Sequence, residues 1–252
     1  YDIKKQQLFL SRDRFAEKPL YYYESRDGFF FGSEIKYLSS LSNKKFSPNL
    51  DRVNKFLSLG YKSLFKEKDT FFSEVKPLFG AENLFCNNTF KISIKKYWKP
   101  ETKINYKLSI NETIEKTKEL LIDSLRLRMR SDVPLAFCLS GGIDSSALAS
   151  IAVKKLNCKI ETFSLIDSDE RYNEINNINA TIKDLGCNSE IVEIKKDNFL
   201  ENLIDLIQYH DSPVLTISSY IHSLLTNLIN KKGYKVAITG SGADEIFTGY
   251  YD

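Results

Sequence analysis

The chain has 252 residues, of which 42% are hydrophobic and 27% are charged, and its formal net charge is +3. This composition predicts a globular protein of one or two domains, and the small charge gives no reason to expect a nucleic-acid partner. The sequence shows neither a signal-peptide pattern nor an apolar run of about 18 residues, so we expect a cytoplasmic protein without a membrane partner. Its four cysteines are widely spaced, which favours free thiols in a reducing compartment over a zinc site or disulfides.

The first part of the chain is predicted to be antiparallel β-structure with small helices. Two aromatic-rich runs on either side of Asp27-Gly28 predict a β-hairpin, because an Asp-Gly pair is a preferred hairpin turn. We find no histidine and no paired acids here, so this part offers no chemistry by itself. The predicted elements are a strand at 7–11, the hairpin 19–23 and 29–32, a helix at 33–41, a helix capped by 47–51, strands at 82–86 and 89–94 around an Asn87-Asn88 turn, and a polar linker at 101–107.

The second part changes to strands that alternate with helices. Ser109 and Glu112 form a capping box, and it opens a long helix with one apolar face made by Ile110, Ile114, Leu121, Leu125 and Met129. The alternation predicts a doubly wound, mostly parallel sheet, and we divide the chain into domains at 1–104 and 105–252. The further predicted elements are strands at 135–139, 162–166, 190–194 and 236–239 and helices at 146–155, 174–185, 198–209 and 219–232.

The most informative stretch joins the strand at 135–139 to the following helix. It reads Leu139-Ser140-Gly141-Gly142-Ile143-Asp144-Ser145-Ser146. A glycine turn between a buried strand and a helix N-terminus favours a phosphate, because the first-turn N–H groups and the helix dipole attract an anion. A Walker A loop would carry a lysine before the serine, and this loop has none. We therefore expect N–H and hydroxyl donors to hold pyrophosphate while Asp144 faces a metal.

A second glycine loop follows the last predicted strand. It reads Gly240-Ser241-Gly242-Ala243-Asp244-Glu245. Because ligands of such sheets bind at the carboxyl ends of strands, Asp144 and Asp244 are expected to converge on one ligand. Two carboxylates beside a triphosphate suit Mg²⁺. The residues thus predict a nucleotide site that cuts ATP between its α and β phosphates and activates a carboxylate as an acyl-adenylate.

The segment 140–145 resembles the signature of the PP-loop ATP pyrophosphatases, and the wider pattern resembles the glutamine-dependent asparagine synthetase family. The similarity spans nearly the whole chain, and its motifs occur in the family's order. In the first part these motifs resemble the later portion of an N-terminal-nucleophile class II glutaminase domain. The matching stretches are 12–22, 32–36 and 94–98 in the first part and 131–134, 140–145, 162–165 and 240–250 in the second.

The resemblance implies two coupled sites and an assignment of binding residues. A glutaminase would release ammonia, and the PP-loop domain would adenylate the side chain of aspartate with ATP and then amidate it, with a homodimer as a possible assembly. Asp144 and Asp244 would hold Mg²⁺, and Leu165 would contact adenine. The ATP-binding positions carried over are Cys138, Leu139, Ser140, Gly141, Gly142, Asp144, Ser145, Leu165, Thr239 and Gly240.

Several positions depart from the family's pattern. The catalytic cysteine of the glutaminase would precede Tyr1 and a catalytic lysine would follow Asp252, so we expect an internal fragment that is incomplete for turnover. Ser241 stands where the family usually has an acid that assists adenylation, and it cannot act as a carboxylate base. Ala16 replaces a usual glycine, and the segment 211–216 lacks acids that are common there.

These departures leave two other functions open. One is a sibling amidotransferase that acts on a carboxylate of a surface polysaccharide or secondary metabolite, favoured by Ser241 and Thr216. The other is an inactive homologue that serves as a scaffold or regulator. Nucleic-acid thiolation, another use of the PP-loop, is disfavoured by the glutaminase-like first part. The isolated His210 and His222 are expected to be structural, and Cys138 suits an inert place in a buried strand.

Overall fold

In the computed structural model, which describes residues 1–64, 67–102, 107–195 and 197–250, the chain divides into two compact units. The first unit comprises Tyr1–Lys103 and Leu200–Ile217, and the second comprises Ile104–Phe199 and Ser218–Asp252. The segment Leu200–Ile217, which the sequence assigns to the second domain, therefore groups with the first unit.

Strands and helices are numbered here in chain order within the described residues. The strands are β1 (Gln7–Ser11), β2 (Tyr21–Glu24), β3 (Phe29–Gly32), β4 (Val75–Pro77), β5 (Glu82–Asn87), β6 (Ile92–Lys96), β7 (Leu135–Cys138), β8 (Glu161–Ile166), β9 (Asn188–Glu193) and β10 (Val236–Ile238). The α-helices are α1 (Ile35–Ser42), α2 (Leu50–Leu59), α3 (Ile110–Arg128), α4 (Ile143–Ser150), α5 (Ile175–Leu185), α6 (Phe199–His210), α7 (Ile217–Lys231) and α8 (Ala243–Phe247). No helix among the described residues is long and apolar enough to cross a membrane.

The first unit contains two antiparallel three-stranded sheets. One has the strand order β1-β5-β6 and the other the order β3-β2-β4. The predicted hairpin is confirmed, because Tyr21 of β2 pairs with Gly32 of β3 and Ser25 N–H donates to the Gly28 carbonyl at the turn. The strand β4 was not predicted, since three residues ending in proline are too short to show an alternating pattern.

The turn after β5 is longer than the predicted Asn87-Asn88 pair. The Asn87 side-chain carbonyl accepts hydrogen bonds from the N–H groups of Thr89 and Lys91, and Phe90 adopts a positive φ of 59°. The asparagine side chain thus mimics a backbone turn and delays the next strand to Ile92. The predicted start of this strand at Thr89 is therefore wrong.

The second unit carries a four-stranded parallel sheet of order β10-β7-β8-β9. Side chains of β7 alternate between two cores. Phe137 packs with Leu125 of α3 and Ala149 of α4 on one face, whereas Ala136 packs with Ile229 of α7 on the other. Helices thus cover both faces of the sheet, which confirms the predicted doubly wound α/β fold.

The long helix α3 begins at the predicted capping box. The Ser109 hydroxyl accepts from the Glu112 N–H, and the Glu112 carboxylate accepts from the Ser109 N–H at 2.8 Å. The predicted apolar face is correct only at its C-terminal end, where Leu125 is buried, because Ile110 and Ile114 are exposed. The 3.6-residue period of apolar residues predicted the helix correctly, but it did not show how much of the helix is packed against the sheet.

Candidate active site

The two glycine loops lie at the point where the strand order of the parallel sheet reverses. From β7 the chain continues outward to β8 and β9, and it returns to β10 on the other side of β7. Ser140 follows the carboxyl end of β7 and Thr239 follows that of β10. In open α/β sheets this crevice is where ligands bind.

Gly141 fixes the shape of the first loop. Its φ is +89°, a left-handed conformation that residues with a Cβ rarely adopt. A Cβ built on Gly141 would also lie 2.9 Å from the Cβ of Glu174, at the start of α5. The loop therefore needs glycine both for its backbone and for its close approach to α5.

Ser140 and Ser145 tie the loop to the helix behind it. The buried Ser145 hydroxyl accepts from the Ser140 N–H at 3.1 Å and donates to the Gly142 carbonyl at 3.2 Å. The Ser140 hydroxyl lies 3.1 Å from that of Ser145 and accepts from the Gly142 N–H. Since a hydroxyl has one proton and two acceptor lone pairs, these bonds occupy much of the capacity of Ser145. Ser145 thus shapes the loop as well as being a predicted phosphate contact.

The helix α4 starts directly after the glycines. Gly142 is its N-cap, so the predicted start at Ser146 is three residues late and Asp144 lies in the first turn. Ser145 and Ser146 therefore lie inside the helix, and only Ser140, Gly141 and Gly142 remain in the loop. The N–H groups of Ile143, Asp144 and Ser145 lie in the first turn, where no preceding helical carbonyl is present to accept from them. Together with the helix dipole, they favour the binding of an anion.

The second glycine loop packs against the first. A Cβ built on Gly240 would lie 2.9 Å from the Cβ of Asp144 and 3.1 Å from the nitrogen of Ser145. Only the absence of a side chain at Gly240 lets the chain after β10 come this close to the first turn of α4. The two loops are thus in contact at Gly240 and Asp144, and the expected convergence of Asp144 and Asp244 on one ligand stays a prediction.

Asp244 lies in the short helix α8, and its carboxylate turns toward Gly249. A Cβ on Gly249 would overlap that carboxylate, and the Gly249 N–H donates to the Asp244 carbonyl at 3.0 Å. Nearby, the Tyr250 hydroxyl donates to Glu245 at 2.7 Å, which raises the pKa of Tyr250 to about 12 and lowers that of Glu245.

The metal that the sequence implies can be tested against this donor set. The described residues contain no cluster of three or more Asp, Glu, His or Cys side chains able to hold a metal ion. An all-protein metal cage therefore does not fit the site. Mg²⁺ in nucleotide sites commonly takes one or two carboxylates and completes its shell with phosphate oxygens and water. Asp144 and Asp244, in the first turns of α4 and α8, carry oxygen donors of the kind that this smaller role uses.

The remaining predicted residues divide into exposed and buried positions. Thr239 and Ser241 are exposed, and the Thr239 hydroxyl donates to that of Ser241 at 3.1 Å. Leu165 is half-buried on β8. The side chain of Leu139 is buried, and its N–H and carbonyl are bonded to Phe163 and Ser164, so this residue supports the loop from behind. Burial raises the pKa of the Cys138 thiol to about 11, as expected for an inert side chain.

Three supporting residues were missed by the sequence reasoning. Ser164 on β8 is buried and donates to the Leu139 carbonyl at 2.6 Å, which anchors the residue before the loop. Glu174 packs against Gly141, and the Thr181 hydroxyl donates to that of Ser146 at 3.4 Å. The sequence signal available for Ser164 was a hydroxyl in the middle of an apolar strand. Glu174 and Thr181 carry no comparable signal, because polar residues are common at such positions of a helix.

Two family models match the chain. The model described as asparagine synthase matches residues 116–251, and the model described as glutamine amidotransferase domain matches residues 1–98. The first match contains both glycine loops of the candidate site. The second covers most of the first unit.

Similar curated proteins span nearly all of this chain. It is 33% identical to a putative glutamine-hydrolysing asparagine synthetase 2 of Methanocaldococcus jannaschii, over 99% of this chain and 48% of that protein. It is 29% identical to glutamine-hydrolysing asparagine synthetase 1 of Bacillus subtilis, over 96% and 37%, and 27% identical to amidase chry2 of Gibberella zeae, over 99% and 39%. The chain thus spans less than half the length of these relatives.

Among solved structures, the chain is similar to an NH3-dependent NAD synthetase from Campylobacter jejuni. The identity is 21%, the TM-score is 0.38, and the match covers 54% of this chain and 60% of that one. So low a score carries no weight for the fold, which follows from the strand order itself.

Proposed function

The chain belongs to the asparagine synthase family, and from this we propose that the whole protein is an ATP-dependent, glutamine-hydrolysing asparagine synthetase. The observation that carries the proposal is the packing of Gly240 against Asp144, which joins the two glycine loops into one site at the reversal of strand order. In this proposal residues 1–104 belong to the glutaminase domain and residues 105–252 to the ATP-using domain.

The chemistry proposed for this site is adenylation followed by amidation. A carboxylate oxygen of the acceptor attacks the α-phosphorus of ATP, and pyrophosphate leaves with the bonding electron pair. Ammonia from glutamine then attacks the acyl carbon, loses a proton, and displaces AMP to give the amide. In this proposal the first-turn N–H groups of α4 stabilise the negative charge of the departing phosphates, which is the electrostatic contribution of the loop.

We assign the binding residues by their exposure and position. Ser140, Gly141, Gly142 and Ser145 form the pyrophosphate loop, and Thr239 and Gly240 close the site from the end of β10. Leu165 lies on the next strand and contacts the adenosine part, whereas Cys138 and Leu139 support the loop from the sheet. Asp144 and Asp244 hold Mg²⁺, which when bound would neutralise the phosphate charge.

The acceptor is proposed to be aspartate. Ser241 is exposed and bonded to the Thr239 hydroxyl, so it can orient an acceptor through a hydrogen bond but cannot serve as a carboxylate base. This residue also supports the second candidate, a sibling amidotransferase with another carboxylate acceptor, because it departs from the acid usual in the family. The similarity to a protein named amidase chry2 is consistent with that second candidate.

A panel of acceptors tests the function. The whole protein is incubated with ATP, Mg²⁺ and ammonia together with aspartate, glutamate or a sugar carboxylate, and pyrophosphate release and amide formation are measured. The proposal predicts release with aspartate and formation of asparagine. Release with another carboxylate alone would support the sibling enzyme. Absence of release with every acceptor, unchanged by Asp144→Ala, would support an inactive homologue.

The surroundings of the enzyme follow from the same proposal. All four cysteines are free, which supports a reducing, cytoplasmic location. Glutamine-derived ammonia, ATP and the acceptor are the expected partners, with no nucleic acid. A homodimer is part of the proposal, and light scattering of the whole protein tests it.

A further inference from the structure

The N-terminus of α1 is completed by a residue far away in the sequence. The N-cap residue Glu34 makes no side-chain capping bond of its own. Instead, a carboxylate oxygen of Asp211, 175 residues away, accepts from the Lys36 N–H at 3.1 Å. An aspartate at a helix N-terminus satisfies an unpaired donor and also complements the helix dipole.

Lys36 closes a second set of contacts with the same segment. Its ammonium donates to the Tyr209 carbonyl at 2.6 Å and lies 4.0 Å from the Asp211 carboxylate and 4.9 Å from the centre of the Tyr209 ring. It also pairs with Glu34 at 2.7 Å. The hydrogen bond from Lys36 lowers the pKa of Glu34. Burial by itself would lower the pKa of Lys36, but the pairing with Glu34 and Asp211 outweighs burial and raises it.

The backbone of Asp211 is adapted to this contact. Its φ is +52°, a left-handed conformation that few residues other than glycine adopt, with aspartate and asparagine among those that adopt it most often. Asp211 follows α6 directly, so the same residue ends that helix and turns its carboxylate toward α1. The Asp211 side chain is only 17% exposed.

The segment held in this way leads to a helix that supports the active site. After Ile217 the chain enters α7, whose Leu225, Leu228 and Ile229 pack on β7 and β8. The strand β7 ends at Cys138, and two residues, Leu139 and Ser140, join it to Gly141. The stretch between Asp211 and Ile217 is therefore a covalent link from the first unit to the helix behind the pyrophosphate loop.

We propose that Asp211 is a positioning residue that clamps the segment Leu200–Ile217 onto α1 and thereby couples the glutaminase part of the chain to the adenylating part. The clamp rests on the contacts of Asp211 and Lys36 alone. The coupling rests in addition on the proposed function. Each of these two statements has its own measurement.

Hydrogen exchange tests the clamp on this chain. Asp211→Gly keeps the positive φ accessible and removes the carboxylate, so exchange at the Lys36 and Tyr37 amides should rise about tenfold. Asp211→Asn retains an acceptor and should restore most of the protection. Asp205→Asn, an exposed acid on α6, is the control and should change nothing, and amides of β8 report whether each variant is folded. Unchanged exchange at Lys36 in folded Asp211→Gly overturns the clamp. If that variant fails to fold, exchange of the α6 amides is compared between the wild type and Lys36→Met, which should release α6. Unchanged exchange of the α6 amides would then overturn the clamp.

The choice of nitrogen source tests the coupling on the whole protein. Asp211→Gly should lower severalfold the amide formed per glutamine hydrolysed, while synthesis from free ammonia keeps its kcat and KM. Asp211→Asn should recover the yield. A role in stability alone would lower amide synthesis from glutamine and from free ammonia equally, and that result overturns the coupling. A wild-type protein that releases no pyrophosphate with any acceptor contradicts the proposed function and with it the coupling, whereas the exchange measurement still decides the clamp.

Discussion

At the scale of single residues, the proposed pyrophosphate loop depends on positions where no side chain can be accommodated. Gly141 needs both a positive φ and the space beside Glu174, and Gly240 needs the space beside Asp144. A side chain at either glycine would therefore change the shape of the two loops. Ser145, by contrast, contributes through a hydroxyl whose bonds stay within the loop and the first turn of α4.

Gly141→Ala should weaken ATP binding by tenfold or more. A left-handed alanine costs on the order of 1 kcal/mol or more, and the overlap with Glu174 displaces the loop. Gly233→Ala is a matched control, because Gly233 has a φ of +88° but no atom within 4 Å of an added Cβ. Isothermal titration with a non-hydrolysable ATP analogue measures the effect. Equal affinities for the two variants would show that the loop does not touch the nucleotide.

Asp13 should stabilise the first unit in a pH-dependent way. Its carboxylate accepts from the N–H groups of Phe15, Glu17 and Lys18, and although burial opposes them, these bonds lower the pKa of Asp13. A lowered folded-state pKa means that the stabilisation is complete above the unfolded pKa of about 4 and is lost as pH falls through the folded value.

Asp13→Asn should therefore cost about 1–2 kcal/mol of unfolding free energy at pH 7 and progressively less in acid. Urea denaturation at pH 7 and at pH 3 measures both values. Asp27→Asn, in the exposed hairpin turn, is the control and should show little difference at either pH. A cost for Asp13→Asn that is the same at both pH values would contradict the account.

At the scale of elements, much of the second unit could be predicted from local signals. The capping box set the start of α3, and Gly186, with a φ of +59°, ends α5 as expected. Such signals act over a few residues, so they place elements but do not say what covers them. Ile110 and Ile114 matched the helical period and yet are exposed, since their burial depends on the extent of the sheet.

Ser164 should hold the strand β8 to the start of the proposed pyrophosphate loop. Ser164→Ala would leave the buried Leu139 carbonyl without this donor, at a cost of about 1–3 kcal/mol of unfolding free energy. Ser189→Ala on the neighbouring β9 is the matched control, because the buried Ser189 hydroxyl has no hydrogen-bond partner among the described residues. Urea denaturation compares the two variants. A similar free energy for both would mean that the bond to Leu139 contributes nothing.

At the scale of the whole molecule, the parallel sheet could be predicted from the sequence, but the grouping of segments could not. The residues from Ser140 to Asp144 and from Gly240 to Asp244 follow the carboxyl ends of two neighbouring parallel strands, as the alternation of strands and helices predicts. The segment Leu200–Ile217 groups with the first unit, where Lys36 contacts Asp211, 175 residues away. No periodic pattern or local motif encodes such a pair, so only the structure could reveal it.

The products of ATP cleavage test the central claim most directly. The whole protein is incubated with ATP, Mg²⁺, ammonia and aspartate, and the nucleotide and phosphate products are separated by anion-exchange chromatography. Cleavage between the α and β phosphates predicts AMP and pyrophosphate in equal amounts, with a rate reduced on the order of a hundredfold in Asp144→Asn. Formation of ADP and inorganic phosphate, at a rate that Asp144→Asn leaves unchanged, would contradict it.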